Sequence, residues 1–341
     1  INVLILGRKR SWEEKYCLNN KLLFKGIPTR KRAGKLSLQN LPVMLKLGVG
    51  FFETLKILRE FSPEIVVGTG GYVSVPVMTA GFFGRYPMLI HEQNIVPGLT
   101  TRVFAPLAKE ITVTFEKTAG YFSKRIKKKI FVTGCPLGKA AKSDRDKRLT
   151  QEAFGLEDNK FTLLVMGGSQ GARRLNQLVL AAQKIWQKIH LPIQIIHLTG
   201  EKDYPAVRDA YIARGINVFI SPFHANMGEI YNMSHLAVAR AGAVSLAELA
   251  AWGIPAIIVP YPYAAGRHQD LNAQFFARKG AAKVFREEDL TPQILSREVS
   301  LLVNDKERRQ EMAEASRSLG RKDATEILSR RIIRLAKSSR R

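Results

Sequence analysis

The chain has 341 residues, 45% of them apolar and 24% charged, which argues against intrinsic disorder and allows two domains of ordinary size. Lys and Arg number 54 against 29 Asp and Glu, a net charge of +25 that points to polyanionic partners, either nucleic acid or an anionic membrane surface. The two cysteines, Cys17 and Cys135, form no CxxC pair and suggest neither a disulfide framework nor a zinc site. No stretch reaches the roughly 18 uncharged apolar residues of a spanning helix, so a soluble or peripheral chain is expected.

Short apolar runs alternate with helical patterns, which predicts an α/β fold with mostly parallel strands. Strands are predicted at 2–6, 64–67, 88–91, 110–114 and 130–133, and then a polar stretch reads as a linker. A second series follows at 161–166, 193–198, 216–220, 235–239, 255–259 and 282–285, and from 286 onward the pattern is helical. The reading is two Rossmann-like lobes facing a cleft: 1–137, a linker at 138–160, 161–320, and a basic helix or tail at 321–341 expected to return to the first lobe. Ligands in such sheets sit at the carboxyl ends of the strands.

Three predicted strands end in glycine-rich turns followed by helices: "VVGTGGYVSVP" (66–76), "VMGGSQGARRLN" (165–176) and "VARAGAVSLAELAAWGIPAIIVP" (238–260). Such turns bring backbone N–H groups and a helix N-terminus close to an anion, usually a phosphate. The second is neither a dinucleotide fingerprint, because residue 166 is Met, nor a P-loop. Three of them on two lobes suggest two phosphate-bearing ligands. Glu248 falls in the second turn of a helix starting near Ala243, where a carboxylate can accept from both hydroxyls of a ribose. The run "PYPYAAGRHQDLNA" (260–273) brings Arg267, His268, Gln269 and Asn272 together, side chains able to read sugar hydroxyls and diphosphate oxygens.

Taken together, "GTGGYVSVP", "HEQNIVPGLTTR" (91–102), "GGSQGARRLN", "RAGAVSLAELAAWGIPAIIVP" and "RHQDLNAQ" resemble the MurG family of peptidoglycan glycosyltransferases over essentially the whole chain. The resemblance implies a GT-B type fold and inverting transfer of N-acetylglucosamine from UDP-N-acetylglucosamine. The acceptor implied is the 4-hydroxyl of membrane-anchored undecaprenyl-diphosphate-linked N-acetylmuramoyl pentapeptide. It implies that Ser169, Gln170 and Gly171 face the donor diphosphate with Gly242, that Glu248 holds the ribose, and that His268 and Gln269 hold the sugar. His224, in "SPFHANM" (221–227), would lie where the family's uracil rests against backbone. Gly70, Gly71 and Tyr72 would face the acceptor, with His91, Glu92 and Asn94 along the cleft.

It further implies no cofactor and no catalytic metal; the lone D-x-D at Asp144–Asp146 reads as incidental. The expected place is the cytoplasmic face of the bacterial inner membrane, with no nucleic acid as partner and other cell-wall enzymes as possible ones. "LPVMLKLGVGFF" (41–52) with the basic runs at 30–35 and 123–129 reads as an interfacial patch.

Three departures matter. The family's first strand, its histidine-containing glycine loop and the following helix have no counterpart, since "INVLILGRKR" aligns with the family's second strand. A fragment of a longer protein is therefore the expectation. The family's expected base lies in that loop, which leaves His91 as a weak substitute at most, its first reading being structural support of the cleft. Gly138, followed by Lys139, stands where the family carries an Arg on the donor diphosphate, and Ala241 replaces a Ser. Competing readings are an impaired homologue that binds donor without transfer, a related UDP-sugar epimerase, a nicotinamide dehydrogenase, and a non-catalytic basic binding protein.

Overall fold

A computed structural model of the chain describes residues 1–28, 41–138, 146–168 and 171–338. The chain divides into two units, one comprising Ile1–Thr133 and Glu326–Arg341 and the other Gly134–Thr325.

The first unit runs β1 (Leu4–Arg8), α1 (Trp12–Asn19), β2 (Leu23–Ile27), α2 (Leu41–Phe61), β3 (Val66–Gly68), α3 (Ser74–Phe83), β4 (Met88–Glu92), α4 (Leu99–Phe104), β5 (Glu110–Val113), α5 (Lys124–Lys127) and β6 (Ile130–Val132). All pairings are parallel. The strands fall into two sheets, β1-β2 and β3-β4-β5-β6, and β1 and β3 are not paired with each other. The pattern missed β2, a strand with alternating exposed and half-buried residues that carries Lys25 and Gly26. Such an exposed edge lacks the apolar run that marks the buried strands.

Leu58, Val66, Met78, Ile90, Phe104 and Ile111 form the core of this unit. The C-terminal helix α14 (Ala324–Ser338) joins it through Leu328 and Leu335, which pack on Leu89. Arg331 pairs with the buried carboxylate of Glu110 at 2.8 Å, and Arg334 pairs with the same group. Two guanidinium groups on one buried carboxylate supply the partners its burial requires.

The second unit begins with α6 (Lys147–Ala153). It then alternates β7 (Phe161–Met166), α7 (Arg173–Lys188), β8 (Ile193–Leu198), α8 (Tyr204–Ile212), β9 (Val218–Ser221), α9 (Met227–Met233), β10 (Leu236–Ala239), α10 (Ala243–Trp252), β11 (Ala256–Ile258), α11 (His268–Arg278) and β12 (Ala282–Val284). Helices α12 (Pro292–Asn304) and α13 (Lys306–Leu319) close it. One parallel sheet has the order β12-β11-β10-β7-β8-β9. Its order reverses between β7 and β10, so the loops after these two strands diverge and leave a crevice at their carboxyl ends.

Leu175, Leu178, Val179, Ala182 and Trp186 recur at helical spacing along α7, and all are buried in the core over the sheet. At about 25 cal/mol per Å² of apolar surface, such a stripe contributes several kcal/mol and fixes the face that α7 turns inward. That packing aims the N-terminus of α7 at the loop after β7.

Candidate functional site

In the second unit the loops at the carboxyl ends of β7 to β11 carry the sequence-predicted donor residues. Ser169 and Gln170 lie outside the described residues, as do Lys139 and Asp144. Gly171 is described, with φ +73 and a position where a Cβ would stand 2.3 Å from the Thr199 carbonyl oxygen. Only glycine allows the loop after β7 to lie this close to the loop after β8. Gly168 and Gly171 close the turn through a backbone hydrogen bond of 2.9 Å.

Behind this contact lies a buried polar chain that sequence reading missed. The Asn176 side-chain amide donates to the Thr199 carbonyl at 3.0 Å and to Asp203 at 2.9 Å. His197 Nε2 lies 3.0 Å from Asn176 Oδ1, and its Nδ1 lies 3.0 Å from the Tyr211 hydroxyl. Burial pushes the His197 pKa down to about 3, so the ring is neutral at physiological pH. The network ties the first turn of α7 to the β8 loop. A histidine in a strand that is apolar but for Gln194, "IQIIHL", was the available signal.

Glu248 sits on α10, whose N-terminal flank is Gly242, in extended conformation with φ −64 and ψ 133. Its Oε2 accepts a 2.6 Å hydrogen bond from the buried Tyr231 hydroxyl of α9. Burial raises the Glu248 pKa, and the bond from Tyr231 partly opposes that. Tyr231 was not singled out in the sequence, because an aromatic in a short helix reads as core.

The run after β11 separates into distinct tasks. Gln269 accepts from the Tyr261 backbone N–H at 2.9 Å, and His268 Nδ1 lies 2.6 Å from the Ala265 carbonyl. Arg267, largely exposed, pairs with Asp270. Asn272 differs from the expectation: it is wholly buried and donates to the Ala241 carbonyl at 3.2 Å, bracing the third glycine loop and facing no sugar. The polar run was read as one surface, but helical periodicity turns Asn272 inward with Phe275 and Phe276.

His224 is half-buried, with Nε2 3.4 Å from Glu229, and packs edge-on against Phe154. Phe154 and Phe219 stack with centroids 3.9 Å apart. This aromatic group beside the "SPFHANM" segment was also missed, since Phe154 is brought to it from a distant segment.

In the first unit the Gly70–Gly71 turn follows β3, both residues at positive φ, and the Gly71 carbonyl accepts from Thr100 at 3.0 Å. Glu92 is 3% exposed. Its carboxylate accepts from Asn94 N–H, the Asn94 side chain, Gly98 N–H and Thr101 Oγ1 at 2.5–3.1 Å. Glu92 therefore organises the 93–98 loop and the start of α4, with its lone pairs spent on its own chain. Tyr72 lies in the turn after β3 and Asn94 in the loop after β4.

His91 is 1% exposed, its Nδ1 3.0 Å from Thr112 Oγ1, and burial lowers its pKa to about 4. Enclosed in β4 beside β5, it does not reach solvent, which removes it as a substitute base. Among the described residues no group of three or more His, Cys, Asp or Glu could hold a metal ion.

The glycosyltransferase family 28 N-terminal domain matches residues 1–113, and the family 28 C-terminal domain matches residues 162–328. A curated protein of Halothermothrix orenii, named UDP-N-acetylglucosamine--N-acetylmuramyl-(pentapeptide) pyrophosphoryl-undecaprenol N-acetylglucosamine transferase, is 36% identical over 99% of this chain and 92% of its own. A protein of the same name from Desulforamulus reducens is 36% identical over 95% of this chain and 88% of its own. The crystal structure of MurG from Acinetobacter baumannii superposes with a TM-score of 0.73 at 27% identity, covering 98% of this chain and 91% of that one. A UDP-GlcNAc 2-epimerase from Neisseria meningitidis bound to UDP-GlcNAc shares the fold, with a TM-score of 0.68 at 14% identity and coverage of 98% and 91%. Identity of this extent, with both family domains in order, places the chain in the MurG group of glycosyltransferase family 28.

Proposed function

We infer that the chain transfers N-acetylglucosamine from UDP-N-acetylglucosamine to undecaprenyl-diphosphate-linked N-acetylmuramoyl pentapeptide, converting lipid I to lipid II in peptidoglycan synthesis. The observation that carries this is the 36% identity, over 99% of the chain, to a transferase named for that reaction. The epimerase likeness, at 14%, is one of fold alone.

The donor is assigned to the second unit. The N-terminus of α7, beside Gly167, Gly168 and Gly171, faces the diphosphate, where its positive dipole end offsets the charge that develops on the leaving UDP. Glu248 accepts from the ribose hydroxyls while the Tyr231 hydroxyl fixes one of its oxygens. His268 and Gln269 flank the sugar, and His224 lies at the uracil end. The acceptor is assigned to the first unit, at the Gly70–Tyr72 turn and the loop that Glu92 organises with Asn94. Attack by the acceptor 4-hydroxyl on the anomeric carbon, with its proton passing to a base and UDP leaving, inverts that centre.

The lipid acceptor requires a membrane surface. No helix among the described residues is long and apolar enough to cross a membrane. Exposed Phe52, Phe82 and Phe83, joined edge-to-face through Phe51, form an apolar patch on α2 and α3 that suits the interfacial layer of the cytoplasmic leaflet. The basic sequence at 123–129 suits its anionic headgroups.

The test is transfer of radiolabelled N-acetylglucosamine to lipid I in vesicles, run beside isothermal titration with UDP-N-acetylglucosamine and with NAD. Labelled lipid II is the expected result. Donor binding without product points to the impaired homologue, and NAD binding alone overturns the reading.

A further inference from the structure

Arg240 follows β10 directly and ties the end of that strand to its neighbours on both sides. It is buried, at 7% exposure. Its backbone N–H donates to the Met166 carbonyl at the end of β7, at 3.3 Å. Its side chain serves the strands on the opposite side. Nη1 donates to the carbonyls of Val259 and Pro260, both at 3.2 Å, where the chain leaves β11. Nη2 pairs with Glu287, in the segment after β12, and the Tyr261 ring centroid lies 5.7 Å from Cζ.

Burying a guanidinium costs several kcal/mol, and an apolar side chain would fill the volume without that cost. Such a side chain could not hold a carbonyl. Val259 and Pro260 are buried just beyond the paired register of β11, which ends at Ile258, and Arg240 supplies donors to both of their carbonyls. The Pro260 carbonyl belongs to the same planar peptide group as the Tyr261 N–H, and that N–H donates to Gln269 Oε1 at 2.9 Å. One peptide group is thus held by Arg240 at its oxygen and presented to Gln269 at its nitrogen. With Oε1 turned to Tyr261, Nε2 is the donor end that Gln269 offers to a ligand.

We propose that the Arg240–Glu287 pair positions Gln269 for the sugar of the donor, acting through the peptide group between Pro260 and Tyr261. Glu287 fixes the guanidinium, the guanidinium fixes the peptide plane, and the plane fixes which end of the Gln269 amide faces outward. A charged donor on the carbonyl also polarises the N–H of the same peptide, which strengthens its bond to Gln269. Arg240 and Glu287 are positioning residues, and what they set is the preference for a nucleotide carrying a sugar over the bare nucleotide. The inference rests on the assignment of Gln269 to the sugar flank.

The experiment titrates UDP and UDP-N-acetylglucosamine into the full chain, Arg240→Lys, Gln269→Ala and the double variant, with thermal unfolding recorded for each. Lysine keeps the charge but lacks the planar fork that serves two carbonyls and a carboxylate together. Arg240→Lys is expected to weaken UDP-N-acetylglucosamine about tenfold and UDP by less than about twofold, since the backbone bond to Met166 is untouched. Gln269→Ala should show the same pattern. The double variant should bind no more weakly than either single one, because both changes remove one contact. Glu287→Gln leaves the guanidinium an uncharged acceptor and should lose about threefold for the sugar nucleotide alone, which keeps the test open if Arg240→Lys does not fold. Additive losses in the double variant, unchanged affinities, or equal weakening of the two nucleotides overturn the proposal while the donor assignment stands. An unsubstituted chain that binds neither nucleotide overturns both.

Discussion

The Tyr231 hydroxyl donates to Glu248 at 2.6 Å, and this one bond settles which way the carboxylate of α10 points. A hydrogen bond to a charged group contributes on the order of 1.5–3 kcal/mol, and its loss frees the side chain to turn from its ligand. Tyr231→Phe is expected to weaken UDP-N-acetylglucosamine binding about tenfold with little change in kcat, as measured by titration and by the KM of transfer. Glu248→Gln should cost more. Equal affinity in Tyr231→Phe would show that the pair has no part in donor binding.

Burial raises the Glu248 pKa above the ordinary glutamate value of 4.5, so its acceptor form is lost at a higher pH than that of an exposed glutamate. Donor affinity should fall as pH drops through that raised value. In Tyr231→Phe, which lacks the bond that lowers the pKa, the fall should begin at still higher pH. A donor Kd independent of pH between 7 and 4.5 contradicts this.

Two buried histidines make stability pH-dependent. His91 titrates at about 4 and His197 at about 3 in the folded chain, against 6.5 unfolded. Between these values the unfolded state binds more protons, so stability rises with pH; it is full above about 6.5 and declines as pH falls toward 4 and 3. At about 1.36 kcal/mol per pKa unit the effect is at most about 3 kcal/mol for His91 and about 5 kcal/mol for His197. Urea unfolding at pH 7, 5.5 and 4 measures this, and flat midpoints would exclude it.

Glu92 accepts four hydrogen bonds from residues 94–101. An amide at this site keeps the size but presents two donors to neighbours that also donate. Glu92→Gln should lower transfer at least tenfold while donor Kd stays the same, because the carboxylate organises only the first unit's loop. A parallel loss of donor binding argues against that division.

A methyl group at residue 171 meets the Thr199 carbonyl oxygen at 2.3 Å and requires a φ of +73 from a residue with a Cβ. Gly171→Ala is expected to destabilise the second unit by at least about 2 kcal/mol and to abolish donor binding. Calorimetry and titration on the same sample check both.

Replacing Phe82 and Phe83 together by serine removes two exposed rings of the apolar patch. Binding to anionic vesicles should fall about tenfold, with the unfolding midpoint unchanged. If vesicle binding persists, the basic surface alone holds the chain to the membrane.

The two-lobe α/β architecture was legible because apolar runs of three to six residues must be strands when helical periods lie between them, and eleven of the twelve strands among the described residues announce themselves this way. The strand missed, β2, is an exposed edge with a mixed face. The glycine turns were legible for a similar reason, since positive φ and close backbone approach leave glycine as the residue of choice at Gly70, Gly71 and Gly171. These features depend on local backbone chemistry, which sequence encodes directly.

What only the tertiary structure decided is where side chains from distant segments meet. Tyr231 and Glu248 are seventeen residues apart, His197 lies between Asn176 and Tyr211, and Glu92 turns on its own loop. Asn272 leaves the predicted sugar-reading group because its helix faces it inward, and His91 loses a catalytic role to burial. Periodicity gives a residue its face but not its neighbours. Whether a polar group meets a ligand, a carbonyl or a cavity is set by packing between elements that no local pattern contains.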